Sequence, residues 1–133
     1  MQLHPYLFFE GRCDEAIDFY RTALGAEVSF LMRRKDSPER MGPPGDADKV
    51  MHATLRIGDN IVQVSDGRCE GKPRFQGFAL SLNVSTDDEA KKLFMALTDG
   101  GQVQMPLTKT FFSSNFGMVT DRFGVLWMVH VEK

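Results

Sequence analysis

The pattern of elements in this chain is written twice, and that duplication limits the folds open to it more than any other feature. Asp14-Glu15-Ala16 returns as Asp88-Glu89-Ala90, 74 positions later, and Tyr20 returns as Phe94 at the same spacing. Gly58 returns as Gly124 after 66 positions; the difference of 8 matches a loop at 35–49 that only the first half carries. With 133 residues, the chain suits one domain made of two half-repeats, about 1–66 and 77–133.

Each half implies the order βαβββ. In the first, His4 to Phe9 is an apolar strand stopped by Gly11. A helix is expected over Cys13–Leu24, where Ala16, Ile17, Phe19, Tyr20, Ala23 and Leu24 recur at helical spacing. Asp14 and Glu15 suit its first turn and Gly25 its end. Strands are expected over 26–34, 51–57 and 61–65, with a turn at Gly58-Asp59-Asn60. In the second half, 78–84 alternates as a strand, and Thr86-x-x-Glu89 has a capping-box pattern. The helix that follows places Ala90, Leu93, Phe94 and Leu97 on one stripe, and Gly100-Gly101 ends it. Pro106 confines the strand at 102–107 to an edge or a short length, and strands over 116–120 and 125–131 complete the set.

One such unit covers only one face of its sheet with a helix. Two units are therefore expected to form an α+β fold, a curled eight-stranded mixed sheet around a cleft with the helices outside. Strand alternation assigns Tyr6, Phe8, Met51, Leu55, Val62, Val64, Leu80, Leu82, Trp127 and Val129 to the helix side. The opposite parity assigns Pro5, Leu7, Phe9, His52, Thr54, Arg56, Ile61, Gln63, Ala79, Ser81, Met128 and His130 to the cleft.

Composition narrows the function classes. Hydrophobic residues make up 42% of the chain, enough for a core, and the net charge of -2 with dispersed Lys and Arg argues against nucleic acid and anionic membranes. No apolar run reaches the roughly 20 residues of a membrane span, and no secretory leader is visible at the N-terminus. Cys13 and Cys69 are expected to be free thiols in a reducing cytoplasm; the competing reading makes Cys13 a nucleophile at a helix start. No Gly-rich phosphate loop, Gly-x-Ser-x-Gly, His-Glu-x-x-His or Cys-x-x-Cys occurs.

Three stretches carry a family likeness: Pro5-Tyr6-Leu7-Phe8-Phe9 with Glu15-Ala16-Ile17-Asp18-Phe19-Tyr20, Met51-His52-Ala53-Thr54-Leu55-Arg56-Ile57-Gly58, and Phe116 to Trp127. Together they resemble PhnB-like proteins of the glyoxalase/bleomycin-resistance, or vicinal-oxygen-chelate, superfamily. The likeness is weakest across 35–49 and 67–77. It implies the paired βαβββ fold and a homodimer, with no settled reaction. Superfamily members typically hold a divalent metal that chelates two substrate oxygens. The ligand positions fall here on Pro5, Gln63, Ala79 and Met128, of which Gln63 alone can coordinate. A divalent site needs three or four protein ligands, so the usual metal is expected to be absent and no other cofactor is expected.

The expected ligand-binding residues are His52, Thr54, Arg56, Gln63, Ala79, Ser81, Met128 and His130. His52 is the candidate catalytic residue, as a base or hydrogen-bonder, against the plainer reading of a histidine satisfied by its own sheet. Arg56 suits an anion, or merely a rim position. Trp127 is a core anchor or a stacking platform, and Met32, Met118 and Met128 an adaptable wall or ordinary packing. A site built from His4, His52 and His130 is disfavoured by His4's parity relative to Leu7. The loop 35–49 is a lid or plainly mobile, being too polar to offset its ordering entropy through burial. Loop 111–115 is a cleft-mouth or an ordinary connection. The leading function is small-molecule binding without the usual metal. The alternatives are a superfamily enzyme using His52 or a non-standard metal site, and a protein-interaction module with Phe9, Phe75, Phe78, Phe111 and Phe112 as its patch.

Overall fold

The computed structural model describes residues 1–38 and 46–132. The chain divides into two compact units, Met1–Pro73 and Arg74–Lys133, at the linker expected between the half-repeats. The fold class is the α+β one expected, two βαβββ modules, with the eight strands arranged as two mixed four-stranded sheets.

The first unit contains β1 (Tyr6–Phe8), α1 (Cys13–Leu24), β2 (Glu27–Arg33), β3 (Val50–Ile57) and β4 (Asn60–Ser65) in the sheet order β1-β4-β3-β2. β1 runs parallel to β4 and the other pairs are antiparallel. α1 spans the residues expected of it and buries Cys13, Ala16, Ile17, Phe19, Tyr20 and Ala23. Its N-cap, Arg12, supplies no side-chain cap. Asp66, just beyond β4, supplies the acceptor instead. One carboxylate oxygen accepts from the Cys13 N–H at 2.8 Å and the other from the Val50 N–H at 2.7 Å. Asp66 is buried, so the carboxylate ties the helix start to the start of β3 with its charge spread over two donors.

The sheet residues packed on the α1 side are Leu7, Val50, Ala53, Leu55, Val62 and Val64, all buried. Two expectations are corrected here. In β1 the parity is reversed: Leu7 and Phe9 are buried, whereas Tyr6 and Phe8 are exposed. Five apolar residues in a row carry no alternation, so parity is set by pairing. The Leu7–Val64 register and the Phe9 N–H bond to Ser65 O place Leu7 and Phe9 inward. In β3 the β2 register skips Met51, a bulge that gives the buried place to Val50 and leaves Met51 half-exposed.

The base of the long loop is ordered by specific bonds. Arg34, at 8% exposure, lies in a single 3-10 turn over Arg34–Asp36. It pairs with Asp46 at 3.0 Å and donates to Gly67 O. Lys35 pairs with Asp48 and holds its carboxyl below the usual carboxylate range. At the two ends of this stretch the buried Arg34 guanidinium and Lys35 supply ion pairs where apolar burial is lacking. Residues 39–45, where the lid or mobility reading falls, lie outside the described residues.

The second unit contains β5 (Leu80–Val84), α2 (Asp87–Thr98), β6 (Gln102–Thr108), β7 (Phe116–Thr120) and β8 (Leu126–Val131) in the order β5-β8-β7-β6. Thr86 caps α2, its hydroxyl accepting from the Glu89 N–H at 3.1 Å. Ala90, Phe94 and Leu97 form the buried stripe. β6 is an edge strand, as Pro106 requires, and its pairing with β7 is irregular on both sides of Met105. Trp127 is a core residue whose indole N–H donates to Asp121 Oδ2 at 2.8 Å. Asp121 Oδ1 accepts from Phe123 and Val125 N–H, which closes the β7–β8 turn around a buried carboxylate. Ser113 anchors the 111–115 loop from within: it is fully buried, and its Oγ accepts from the Asn115 and Val131 N–H groups.

Candidate functional site

The polar residues of the first sheet gather on the face turned away from α1. Strand register sets Tyr6, Gln63, Thr54 and Phe30 side by side across all four strands. His52 and Arg56 flank Thr54 on the same face, one before and one after it along β3. Of the expected site residues, the first sheet therefore brings His52, Thr54, Arg56 and Gln63 together.

Tyr6 joins this group unexpectedly, because its parity is reversed. Its hydroxyl lies 2.9 Å from His52 Nδ1, and Thr54 Oγ1 lies 3.3 Å from His52 Nε2. The tautomer sets the directions: with the ring proton on Nε2 the phenol donates to Nδ1 and the ring donates to Thr54 Oγ1, and with the proton on Nδ1 both directions reverse. In the first case Thr54 Oγ1 is an acceptor and its own proton is left to donate outward; in the second the Tyr6 hydroxyl is left to do so. The three groups form a relay whose open end is a hydroxyl donor. The His52 ring packs 5.5 Å from the Tyr6 ring and 5.9 Å from the Phe30 ring, and Phe8 lies 4.9 Å from Tyr6, centroid to centroid. Tyr6, Phe8 and Phe30 remain 37%, 50% and 47% exposed, so these rings are a platform and not a core. One signal in the sequence pointed to Tyr6: a phenol in an otherwise apolar strand needs a polar partner for its hydroxyl.

Ala79, Ser81, Met128 and His130 belong to the second unit. Ser81 pairs with Met128 across β5 and β8, and Asn83 with His130, so Ser81, Met128 and His130 share the face turned away from α2; Ala79 just precedes β5. Phe112 stacks on His130 with centroids 5.8 Å apart and planes 24° apart, and Phe116 meets it edge-on. His130 is thus held in an aromatic pair, and among the described residues no side-chain hydrogen bond engages its ring as Tyr6 and Thr54 engage His52.

Cys13 has the setting of a packing residue. It is fully buried, and burial, followed by the Asp66 and Asp14 carboxylates, pushes its thiol well above the ordinary value. A nucleophilic thiol needs the opposite shift, so the helix-start nucleophile is not supported. Cys69 is partly exposed and also shifted upward, by burial first and by Asp66 second; both cysteines are free.

The residues at the superfamily's metal positions do not fit a divalent ion. Pro5 and Ala79 carry no donor side chain, Met128 offers a thioether and Gln63 a single amide oxygen. Pro5 also shares the parity of buried Leu7, and Tyr6 is the residue opposite Gln63. The same reversal removes the parity objection to His4, which lies before β1 with Nε2 3.3 Å from Gln2 Oε1. Among the described residues, no group of three or more His, Cys, Asp or Glu is placed to hold a metal ion. No described helix is long and apolar enough to cross a membrane.

Comparison with known proteins agrees with this geometry. The model of the Glyoxalase/Bleomycin resistance protein/Dioxygenase superfamily matches residues 2–129. Protein YjdN of Escherichia coli K12 is 35% identical, over 100% of this chain and 97% of its own length. Among solved structures, protein PA1353 from Pseudomonas aeruginosa is 44% identical with a TM-score of 0.88, covering 99% of this chain and 98% of that one. A PhnB protein from Bacillus cereus, described as a putative 3-demethylubiquinone-9 3-methyltransferase, is 26% identical with a TM-score of 0.82, covering 98% and 99%.

Proposed function

Because the chain belongs to the Glyoxalase/Bleomycin resistance protein/Dioxygenase superfamily and has PhnB-like relatives, we propose that it is a small-molecule-binding protein that holds its ligand without the superfamily's customary metal. The observation that carries this reading is the Tyr6–His52–Thr54 relay set among exposed aromatic rings. Exposed rings beside aligned hydrogen-bonding groups are the composition of a ligand surface, in which apolar area supplies affinity and a few polar atoms set orientation. In this reading His52, Thr54, Arg56 and Gln63 contact the ligand and Tyr6 fixes the tautomer of His52. A homodimer in the cytoplasm is the accompanying expectation.

A second reading keeps the same site and adds chemistry. Imidazole bonded to a phenol and a hydroxyl is also the arrangement of a general acid–base group, which makes His52 the residue to test for turnover. The interaction-module reading loses part of its patch, since Phe9 is fully buried.

The test is a thermal-shift screen of chelator-treated protein against metabolite classes, since a ligand that binds only the native state raises its melting temperature. A hit is expected to stabilise the wild type and to fail with His52→Ala. Stabilisation by divalent ions alone, or a hit retained in full by His52→Ala, would sink the proposal.

A further inference from the structure

We infer that the ligand of the first sheet is a planar aromatic acid, with its ring on the Tyr6–Phe30–His52 platform and its carboxylate toward Thr54, Gln63 and Arg56; this rests on the binding role proposed above. The relay has a polarity. In the Nε2–H tautomer Tyr6 donates to His52 and His52 to Thr54, and the group left at the open end beside Gln63 is the Thr54 hydroxyl proton, which asks for an acceptor. Gln63 stands directly opposite Thr54 in the register. Arg56 follows on the same face, roughly 7 Å further along β3 by strand geometry. No ion pair among the described residues involves Arg56, although Glu27 is its cross-strand neighbour. Two hydrogen-bonding groups and a guanidinium in a row are a setting for a carboxylate, which Arg can meet with two parallel bonds.

The ring part follows from the other half of the face. The Tyr6, His52 and Phe30 centroids are spaced 5.5 and 5.9 Å apart at tilts of 35° and 46°. Rings that close leave no slot between them. They offer faces and edges on which a flat ligand lies. A ring over His52 and an acid group two or three residues further along β3 span about 7–10 Å, the length of an arylpropenoate.

The experiment compares two probes of nearly equal shape, cinnamate and cinnamamide, by titration calorimetry, with the His52 ring signals followed by NMR. Cinnamate is expected to shift His52 saturably and to bind about tenfold or more tighter than the amide, the scale of one charge-assisted bond. Arg56→Gln, an exposed substitution, is expected to bind both probes equally. Glu27→Gln is expected to tighten cinnamate by removing the competing carboxylate. Equal affinity for both probes in the wild type, or an acid preference that survives Arg56→Gln, overturns the inference. A neutral or cationic ring that shifts His52 where cinnamate does not also overturns it, while leaving the binding role intact. Failure of every ligand class to shift His52 removes that role as well.

Discussion

At the scale of single residues, two buried groups carry the strongest consequences. Cys13 is held as a thiol by burial, above its ordinary value of 9.0. A raised value in the folded state stabilises fully below the unfolded chain's value and is lost as pH rises past it, because only the unfolded chain ionises there. Unfolding stability is therefore expected to fall above about pH 9, by up to about 1.4 kcal/mol per pH unit. Cys13→Ala should remove that component, as denaturant titrations at pH 7 and pH 10 would report. The native thiol should also resist an aqueous thiol reagent until the chain unfolds. Asp121 is the second group: it accepts from two backbone N–H groups and the Trp127 indole. Asp121→Asn points an amide donor at one of these donors, at a cost of about 2–3 kcal/mol. Trp127, as the chain's 1 tryptophan, gives the fluorescence that measures it.

At the scale of elements, backbone approach decides what the connections tolerate. A Cβ on Gly101, between α2 and β6, would lie 2.3 Å from Thr120 O. Gly101→Ala is expected to cost about 3 kcal/mol or more, since backbone must shift to admit it. Gly25, which ends α1 at φ 68°, has nothing within 4 Å of such a Cβ. Gly25→Ala should cost only the left-handed backbone penalty, about 1 kcal/mol. Chemical denaturation of the two variants checks the contrast. The elements themselves were largely legible. Both helices declared their stripes, and Pro106 its edge strand. What the residues could not declare was the parity of β1, because the one polar side-chain atom in Pro5 to Phe9, the Tyr6 hydroxyl, sits on a ring that suits a buried or an exposed face. The same lack of local signal hid Asp66, which caps a helix that starts 53 positions earlier.

At the scale of the whole molecule, duplication explains why the candidate residues divide between two units. Each sheet buries one face under its own helix and leaves the other for polar and aromatic groups. His52, Thr54, Arg56 and Gln63 were legible as members of one face, since β3 alternates from His52 onward and β4 alternates with it. Tyr6 was not, and with it went the relay that distinguishes His52 from His130. The family likeness was legible from three motifs spread along the chain.

The central claim is that His52 meets a small molecule without help from a divalent ion. Its most direct test is an NMR titration of metal-stripped, ring-labelled protein with a ligand found by the thermal-shift screen. The two His52 nitrogens are expected to move saturably with ligand while His130, stacked on Phe112, stays largely still. A His52 response that appears only after one equivalent of a divalent cation is restored would contradict the account.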